Sequence, residues 1–258
     1  NRALLSELVR TDFKLRYQGS VLGYAWSLLR PLLLFVILYV VFVKFLRVGA
    51  SMPHFPVYLL LGIVIWNFFN EMTVQGTTAI VGRGDLIRKI RIPRWIIIFS
   101  SSLSAAINLG LNLVVVAVFM VINRVDVLGT LPLALLALLE VYLFALGISL
   151  FLSAAFVKFR DVSYIWEVVL QAGFYLTPIL YPLGLITNTT LQKLIMVNPI
   201  AQAIQDARYT AITHASPTAN SVFQGGYYKF IPLLIVAVVL VGGLLYFKKE
   251  SKYFAENI

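Results

Sequence analysis

Of 258 residues, 60% are hydrophobic and only 12% charged, which is too apolar for a water-soluble domain and marks an integral membrane protein. The net charge of +10 does not point to nucleic acid, because the cations gather at the ends of apolar stretches, where they set topology. Cysteine is absent, which excludes disulfides and thiolate-bound metals.

Asn1 to Arg16 places Leu4, Leu5, Leu8 and Leu15 on one helical face, with Val9 and Phe13 at its flank and Ser6, Glu7, Arg10 and Lys14 opposite. Such a helix either lies flat on the inner leaflet or packs on a partner, and residues 1–27 form this interface region. The polar, mixed-charge start does not read as a cleavable signal. Hydrocarbon about 30 Å thick needs roughly 20 apolar residues in a helix. Six stretches qualify: 28–46, 57–74, 96–122, 131–157, 164–181 and 230–247. The expected fold is all-α, a single six-span membrane domain over residues 1–258.

Arg30 and Pro31 open the first span, the arginine snorkelling and the proline in a first turn where its missing N–H costs nothing. Phe35, Tyr39 and Phe42 follow on one face. The second span carries Asn67, Asn70 and Glu71 at a depth where polar groups must face protein or water; hydrogen bonds between helices account for the asparagines. The connector 80–95, IVGRGDLIRKIRIPRW, then turns abruptly charged, with Arg83, Asp85, Arg88, Lys89, Arg91 and Arg94. It must sit outside the lipid between two membrane helices, as a handle for something soluble. Trp26, Trp95 and Trp166 fall at inner boundaries like an aromatic belt. Ser100, Ser101, Ser102, Ser104, Asn108 and Asn112 suit close packing of the third span. Glu140, well inside the fourth, is either functional or a structural hydrogen-bonding group; with no basic residue in a neighbouring span, the structural role is expected.

Lys158 to Asp161 make a very short inner loop. At the far end of the fifth span Tyr175, Pro178, Tyr181 and Pro182 crowd together, and the prolines should break or kink the helix. Between 183 and 229, Leu191, Leu194, Ile195, Ile200 and Ile204 are spaced like short amphipathic helices, interrupted at Asn198 and Pro199. This outer segment either re-enters the membrane or lies on its outer face. With both termini in the cytoplasm, 15 of the 21 Lys/Arg fall on inner segments, as the positive-inside rule requires.

No G-x-x-x-x-G-K-[ST] phosphate loop occurs, His54 and His214 stand alone, and no nucleophile sits beside a base. Active work would draw its energy from a partner or an ion gradient.

Thr11 to Leu33 (TDFKLRYQGSVLGYAWSLLRPLL), Gly84 to Trp95 (GDLIRKIRIPRW), Lys158 to Pro182 (KFRDVSYIWEVVLQAGFYLTPILYP) and Val197 to Tyr209 (VNPIAQAIQDARY) together resemble the membrane subunit of polysaccharide-exporting ABC transporters, which move O-antigen, capsule or teichoic acid. The resemblance implies a transport subunit rather than an enzyme, in the bacterial cytoplasmic (inner) membrane. It also implies a homodimer paired with two copies of a separate ATPase that carries the ATP and Mg, this chain holding no cofactor or metal. It implies that Gly84, Asp85, Leu86, Ile87, Arg88 and Lys89 form a coupling helix, with Phe159, Arg160 and Asp161 as a nearby inner element. The outer segment would help close the exit, with Pro178, Pro182, Asn198 and Pro199 as the outer gate. Arg30-Pro31 and Ile92-Pro93 stand where the family often has Asn-Pro and Phe-Pro, and its second proline after the coupling helix is absent; these departures bear on polymer type.

Sugars present C–H faces that stack on rings without demanding strong hydrogen bonds, so Phe35, Tyr39, Phe42, Phe174, Tyr175 and Tyr181 are candidates for the conduit of a lipid-linked polysaccharide. Packing between helices competes for each. The alternatives are a drug or lipid exporter of the same architecture, and a membrane-embedded glycosyltransferase, for which Glu71, Glu140 and Glu167 are too dispersed.

Overall fold

A computed structural model describes residues 5–11, 23, 25–48, 52–84, 93–126 and 129–254, and all regular structure among them is helical. Helix α1 covers 5–11 of the interface region; Phe13, Lys14 and Leu15 lie outside the described residues. Helix α2 (Ala25–Leu38) runs on as a π-helix over Tyr39–Phe45. The long helices α3 (Phe55–Ala79), α4 (Trp95–Ile122) and α5 (Leu131–Lys158) follow. Then come α6 (Val162–Leu176), three shorter helices α7 (Thr189–Met196), α8 (Pro199–Ala211) and α9 (Ala219–Val222), and α10 (Ile231–Glu250). A proline stands in the first turn of α3, α5, α8 and α10, where no intrahelical bond is lost.

Five of these helices are long and apolar enough to cross a membrane. The fifth expected stretch, 164–181, falls short: α6 has 15 residues, about 22 Å at 1.5 Å per residue. Pro178 is the cause. It forces Thr177 out of the helical region, to φ −84° and ψ 136°, as a residue before proline must be. The first helix also differs from expectation, since it starts at Ala25 and holds Pro31 in its interior rather than at its first turn.

Helix α3 is the axis of the bundle. It packs against α4 and α5 and touches α2, α6 and α8, and most of its side chains from Val57 to Phe69 are buried. Helix α5 lies between α3 and α10 and meets α8. Small residues set these distances. A Cβ on Gly76 would fall 2.5 Å from Cβ of Ser149, and one on Gly243 would fall 2.2 Å from the carbonyl oxygen of Gly147. Ser149 Oγ donates to Ala145 O at 2.7 Å and to Met72 O across the interface at 3.1 Å. The serines of α4 keep the same economy: Ser100, Ser101, Ser102 and Ser104 each donate to a carbonyl one turn back, so that face packs closely without stranding a hydroxyl.

Gly243→Ala should destabilise the protein by about 2 kcal/mol, because backbone cannot yield as a side chain can. Gly242→Ala, with open space around it, should stay within about 0.5 kcal/mol of the parent. Thermal unfolding of the two variants in the same detergent checks the difference.

Candidate functional site

Helix α3 has one side that is not apolar. Asn67, Glu71 and Gln75 recur every four residues, with Asn70 between them, and this stripe forms the floor of a cleft. Between α2, α3 and α4 the cleft encloses about 830 Å³ and is lined by Trp26, Arg30, Asn67, Asn70, Glu71 and Asn108 among others. A smaller hollow of about 320 Å³ continues it toward α6, sharing Leu34, Asn67, Asn70 and Val74 and adding Glu167, Gln171, Phe174 and Tyr175.

The Glu71 carboxylate is held in place. Gln75 Nε2 donates to its Oε1 at 2.9 Å and Asn108 Nδ2 at 2.6 Å. Asn108 is itself buried, and its Oδ1 has no hydrogen-bond partner among the described residues. Asn112 Nδ2 donates to Asn108 O at 2.8 Å and to Ser27 O at 3.3 Å, fixing α4 against α2. The expected bonds between helices are therefore made by Asn108 and Asn112. The amides of Asn67 and Asn70 make no hydrogen bond among the described residues and face the cleft instead. Arg30 also lines this cleft, and it stands within α2 rather than opening the first span.

The six conduit candidates divide. Phe174 and Tyr175 line the smaller hollow, Tyr175 being 69% exposed. Phe174 packs edge-on against Trp66 at 5.9 Å, an approach that Gly173 permits because a Cβ there would meet the indole at 2.8 Å. Phe35 is buried, with its ring 5.4 Å from Phe119 of α4. Tyr39, Phe42 and Tyr181 are half-buried and pack on the core. Of the belt tryptophans, Trp166 reaches inward and donates Nε1 to Thr73 Oγ1 at 3.0 Å.

At the end of the bundle where α3 begins, the proline-broken segment folds onto α8. Asn198 caps α8 by accepting from Ile200 N at 3.0 Å, Pro199 is its first residue, and Asn198 Nδ2 reaches Thr177 Oγ1 at 3.5 Å. Pro178, Pro182, Asn198 and Pro199 thus sit on adjoining segments. What binds those segments was not apparent from the sequence. Arg208, fully buried, donates Nη1 to Pro178 O at 2.6 Å, Nη2 to Ile179 O at 2.8 Å and Nε to Tyr58 O at 3.0 Å, with its guanidinium 3.6 Å from the Tyr58 ring centroid. Gly62 leaves room for it: a Cβ there would lie 2.3 Å from Nη2. Gln205 Oε1 accepts from Tyr58 Oη at 3.2 Å and from Ser216 Oγ at 2.8 Å. Glu140 lies beside Gln202 and Asp206 of α8, so it belongs to the interface of α5 with the outer segment. Asn188, the first residue of a sequon, caps α7 by accepting from Thr190 N and Leu191 N.

At the opposite end of α3, Gly84 closes a 3-10 turn over Val81–Arg83, while Asp85, Leu86, Ile87, Arg88 and Lys89 lie outside the described residues. Both edges of the connector are tied to the bundle. Arg83 Nη1 donates to Ser100 Oγ at 3.0 Å and to Ile97 O at 3.4 Å, and Arg94 Nη1 donates to Ser251 O of the turn after α10. In the loop between α5 and α6, Phe159 is exposed, Arg160 sits over the Phe156 ring at 5.1 Å, and Asp161 precedes the first turn of α6. Lys158 pairs with Glu250 of α10 at 2.6 Å.

Residues 3–212 match the model of the ABC-2 type transporter family. The chain belongs to that family. An O-antigen export system permease protein RfbA from Myxococcus xanthus is 28% identical over 100% of this chain and 96% of its own length. Two proteins of the same name from Klebsiella pneumoniae are 28% and 27% identical, each over 98% of this chain and 94% of theirs. An ABC-2 type membrane subunit works with an ATPase partner, which fits a chain whose own sequence has no phosphate loop.

In this ABC-2 type subunit the sequence carried a signal for the cleft, the four-residue polar period of α3, but not its orientation. Arg208 carried none, since one arginine in an outer segment reads as a surface cation. Arg208→Lys keeps the charge yet cannot span three carbonyls and stack as well. It should destabilise the protein by roughly 3 kcal/mol, at about 1.5–3 kcal/mol per lost charged hydrogen bond less what the ammonium recovers. Thermal unfolding of the detergent-solubilised chain measures it.

Proposed function

We propose that this chain is the transmembrane subunit of an ATP-driven exporter that carries a lipid-linked polysaccharide of O-antigen type across the cytoplasmic membrane. Two copies of it form the path, and two copies of a separate ATPase, holding ATP and Mg, supply the work. The observation that carries this reading is the match, over essentially the whole chain on both sides, to three permeases named for O-antigen export. A drug or lipid exporter of the same architecture draws no support from those relatives.

In this reading both termini are cytoplasmic, and α6 together with the turn after it serves as the fifth of six crossings. Gly84 to Lys89 meet the ATPase, Phe159 to Asp161 form a second inner element, and the segments bearing Pro178, Pro182, Asn198 and Pro199 gate the exit. The anchorage of Arg83 and Arg94 supports a lever role for the connector, because a push between two tethered edges reaches α4 and α10 instead of being lost in slack chain. Among the rings, Phe174 and Tyr175 are placed best to meet a passing polymer.

Reversing charge with Arg88→Glu and Lys89→Glu should lower export by at least about tenfold, the effect of losing roughly 1.4 kcal/mol of coupling, while the partner still hydrolyses ATP. Surface polysaccharide and ATPase activity measured in the same membranes check this, and unchanged export overturns the coupling role.

A further inference from the structure

The contact between α5 and α8 holds buried acceptors that outnumber their donors. Glu140 and Gln202 are 8% and 6% exposed, and Glu140 Oε1, Gln202 Oε1 and Asp206 Oδ1 are all buried without a hydrogen-bond partner among the described residues. Gln202 lies between the two acids, and its Nε2 donates to Asp206 Oδ2. An ionised carboxylate and an amide oxygen can only accept, so three oxygens here need a donor, in surroundings where an unmet acceptor is costly. Among the described residues no cation meets them. Arg208 is spent on the carbonyls of Tyr58, Pro178 and Ile179, and Tyr209 stacks on His214. From α3, Tyr58 Oη donates to Gln205 and Glu71 lines the cleft. Lys229, just before α10, donates to Asn220 Oδ1 at 3.0 Å, and Glu250 at the end of α10 pairs with Lys158. Tyr142 turns to Ser102 of α4 at 3.0 Å, and Glu167 of α6 lines the smaller hollow. A hard metal cation takes about six or more oxygen ligands, and no third carboxylate, histidine or cysteine joins the pair among the described residues. A proton needs only two oxygens. On one carboxyl it turns an acceptor into a donor and removes one of two like charges that repel across an apolar contact.

We propose that Glu140 and Asp206 hold one proton between them, which makes the α5–α8 contact a proton-binding site. Burial pushes the Asp206 carboxyl up, against the opposing hydrogen bonds from Gln202 and the Ala219 backbone. Where the contact opens and both acids meet water, each ionises on its own, so the docked form binds more protons than the opened one. Docking is therefore complete at low pH and is lost as pH rises through the ionisation of the pair. The effect reaches beyond two side chains, because Arg208 on the same helix ties the Pro178 segment to Tyr58. This site goes beyond the exporter reading and stands whether or not polymer moves.

The test uses the full chain in detergent, with infrared absorption of its carboxyl groups and thermal unfolding both followed from about pH 5 to about pH 9. At about pH 7 the parent should show a protonated-carboxyl band that Glu140→Gln removes, since the amide keeps the shape and supplies a permanent donor. The unfolding midpoint of the parent should fall relative to that of Glu140→Gln as pH rises. Asp206→Asn takes away the neighbouring charge and should move the loss of the band down by about one pH unit or more, a tenfold change in proton affinity. If Glu140→Gln does not fold, the parent band and its displacement in Asp206→Asn decide alone. Absence of the band at about pH 7, a band that survives Glu140→Gln, a band midpoint unmoved by Asp206→Asn, or parallel stability profiles of parent and Glu140→Gln overturns the proton site. So does a parent unfolding midpoint that is higher in sodium chloride than in choline chloride at equal ionic strength, which assigns the three oxygens to a metal cation instead.

Discussion

A bilayer offers no partner to a backbone carbonyl, so the helix break that Pro178 imposes has to be satisfied by protein. Arg208 meets that need. Its three donors go to the carbonyls of Tyr58, Pro178 and Ile179, and among the described residues no carboxylate lies within ion-pair distance of it. A buried charge without a counterion is costly unless several hydrogen bonds and a ring face surround it, and this guanidinium has both. The result joins three elements that also meet in the apolar core: the N-terminal end of α3, the segment after α6, and α8. Gly62 exists in this arrangement to admit the side chain, which makes a glycine on one helix part of the binding site for an arginine nearly 150 residues away.

The same constraint explains how polar residues are distributed elsewhere. The hydroxyls of α4 and of Ser149 are satisfied within or across tightly packed backbones, so they allow close approach without a polar penalty. Asn108 and Gln75 spend their N–H donors on Glu71. Of the groups left over among the described residues, the Asn67 and Asn70 amides line a space between α2, α3 and α4, while Asn108 Oδ1 on α4, Glu140 Oε1 on α5 and Gln202 Oε1, Gln205 Nε2 and Asp206 Oδ1 on α8 are buried. Polar groups are retained in an apolar bundle where they meet something polar.

Much of this was legible in the residues. Long apolar runs pointed to four long helices, α3, α4, α5 and α10, each apolar and long enough to cross a membrane, because hydrocarbon thickness sets a minimum length. Asn198-Pro199 marked the start of α8 since an Asx cap followed by proline is a strong local signal. Composition could not show that α6 would stop at Leu176, because apolar residues continue past Pro178 and a hydropathy window counts them regardless. Nor could it give the placement of Arg30, whose helix begins earlier than its apolar run suggests. Helical period showed that Asn67, Glu71 and Gln75 share a face; only the arrangement of neighbouring helices decides whether that face is sealed or open. The six rings divided for the same reason, Phe35 turning to Phe119 and Tyr175 to open space.

The position of α3 joins these features into one mechanical path. Its C-terminal end leads through the Val81–Arg83 turn to the connector, and its N-terminal end carries Tyr58, whose carbonyl and ring hold Arg208. Twenty-five helical residues make a rod of about 37 Å, and a hydrogen-bonded helix transmits axial displacement because its length is fixed by its own ladder. Packed interfaces shift between discrete arrangements rather than deforming smoothly. A displacement of α3 delivered at Arg83 therefore has to be met at Tyr58 either by moving α8 and the Pro178 segment along with it or by breaking the bonds of Arg208. The cleft lies along the same rod, between the two ends. The turn that leads to the connector, the cleft and the Arg208 cluster are thus joined by one helix, the most buried of the candidate spans.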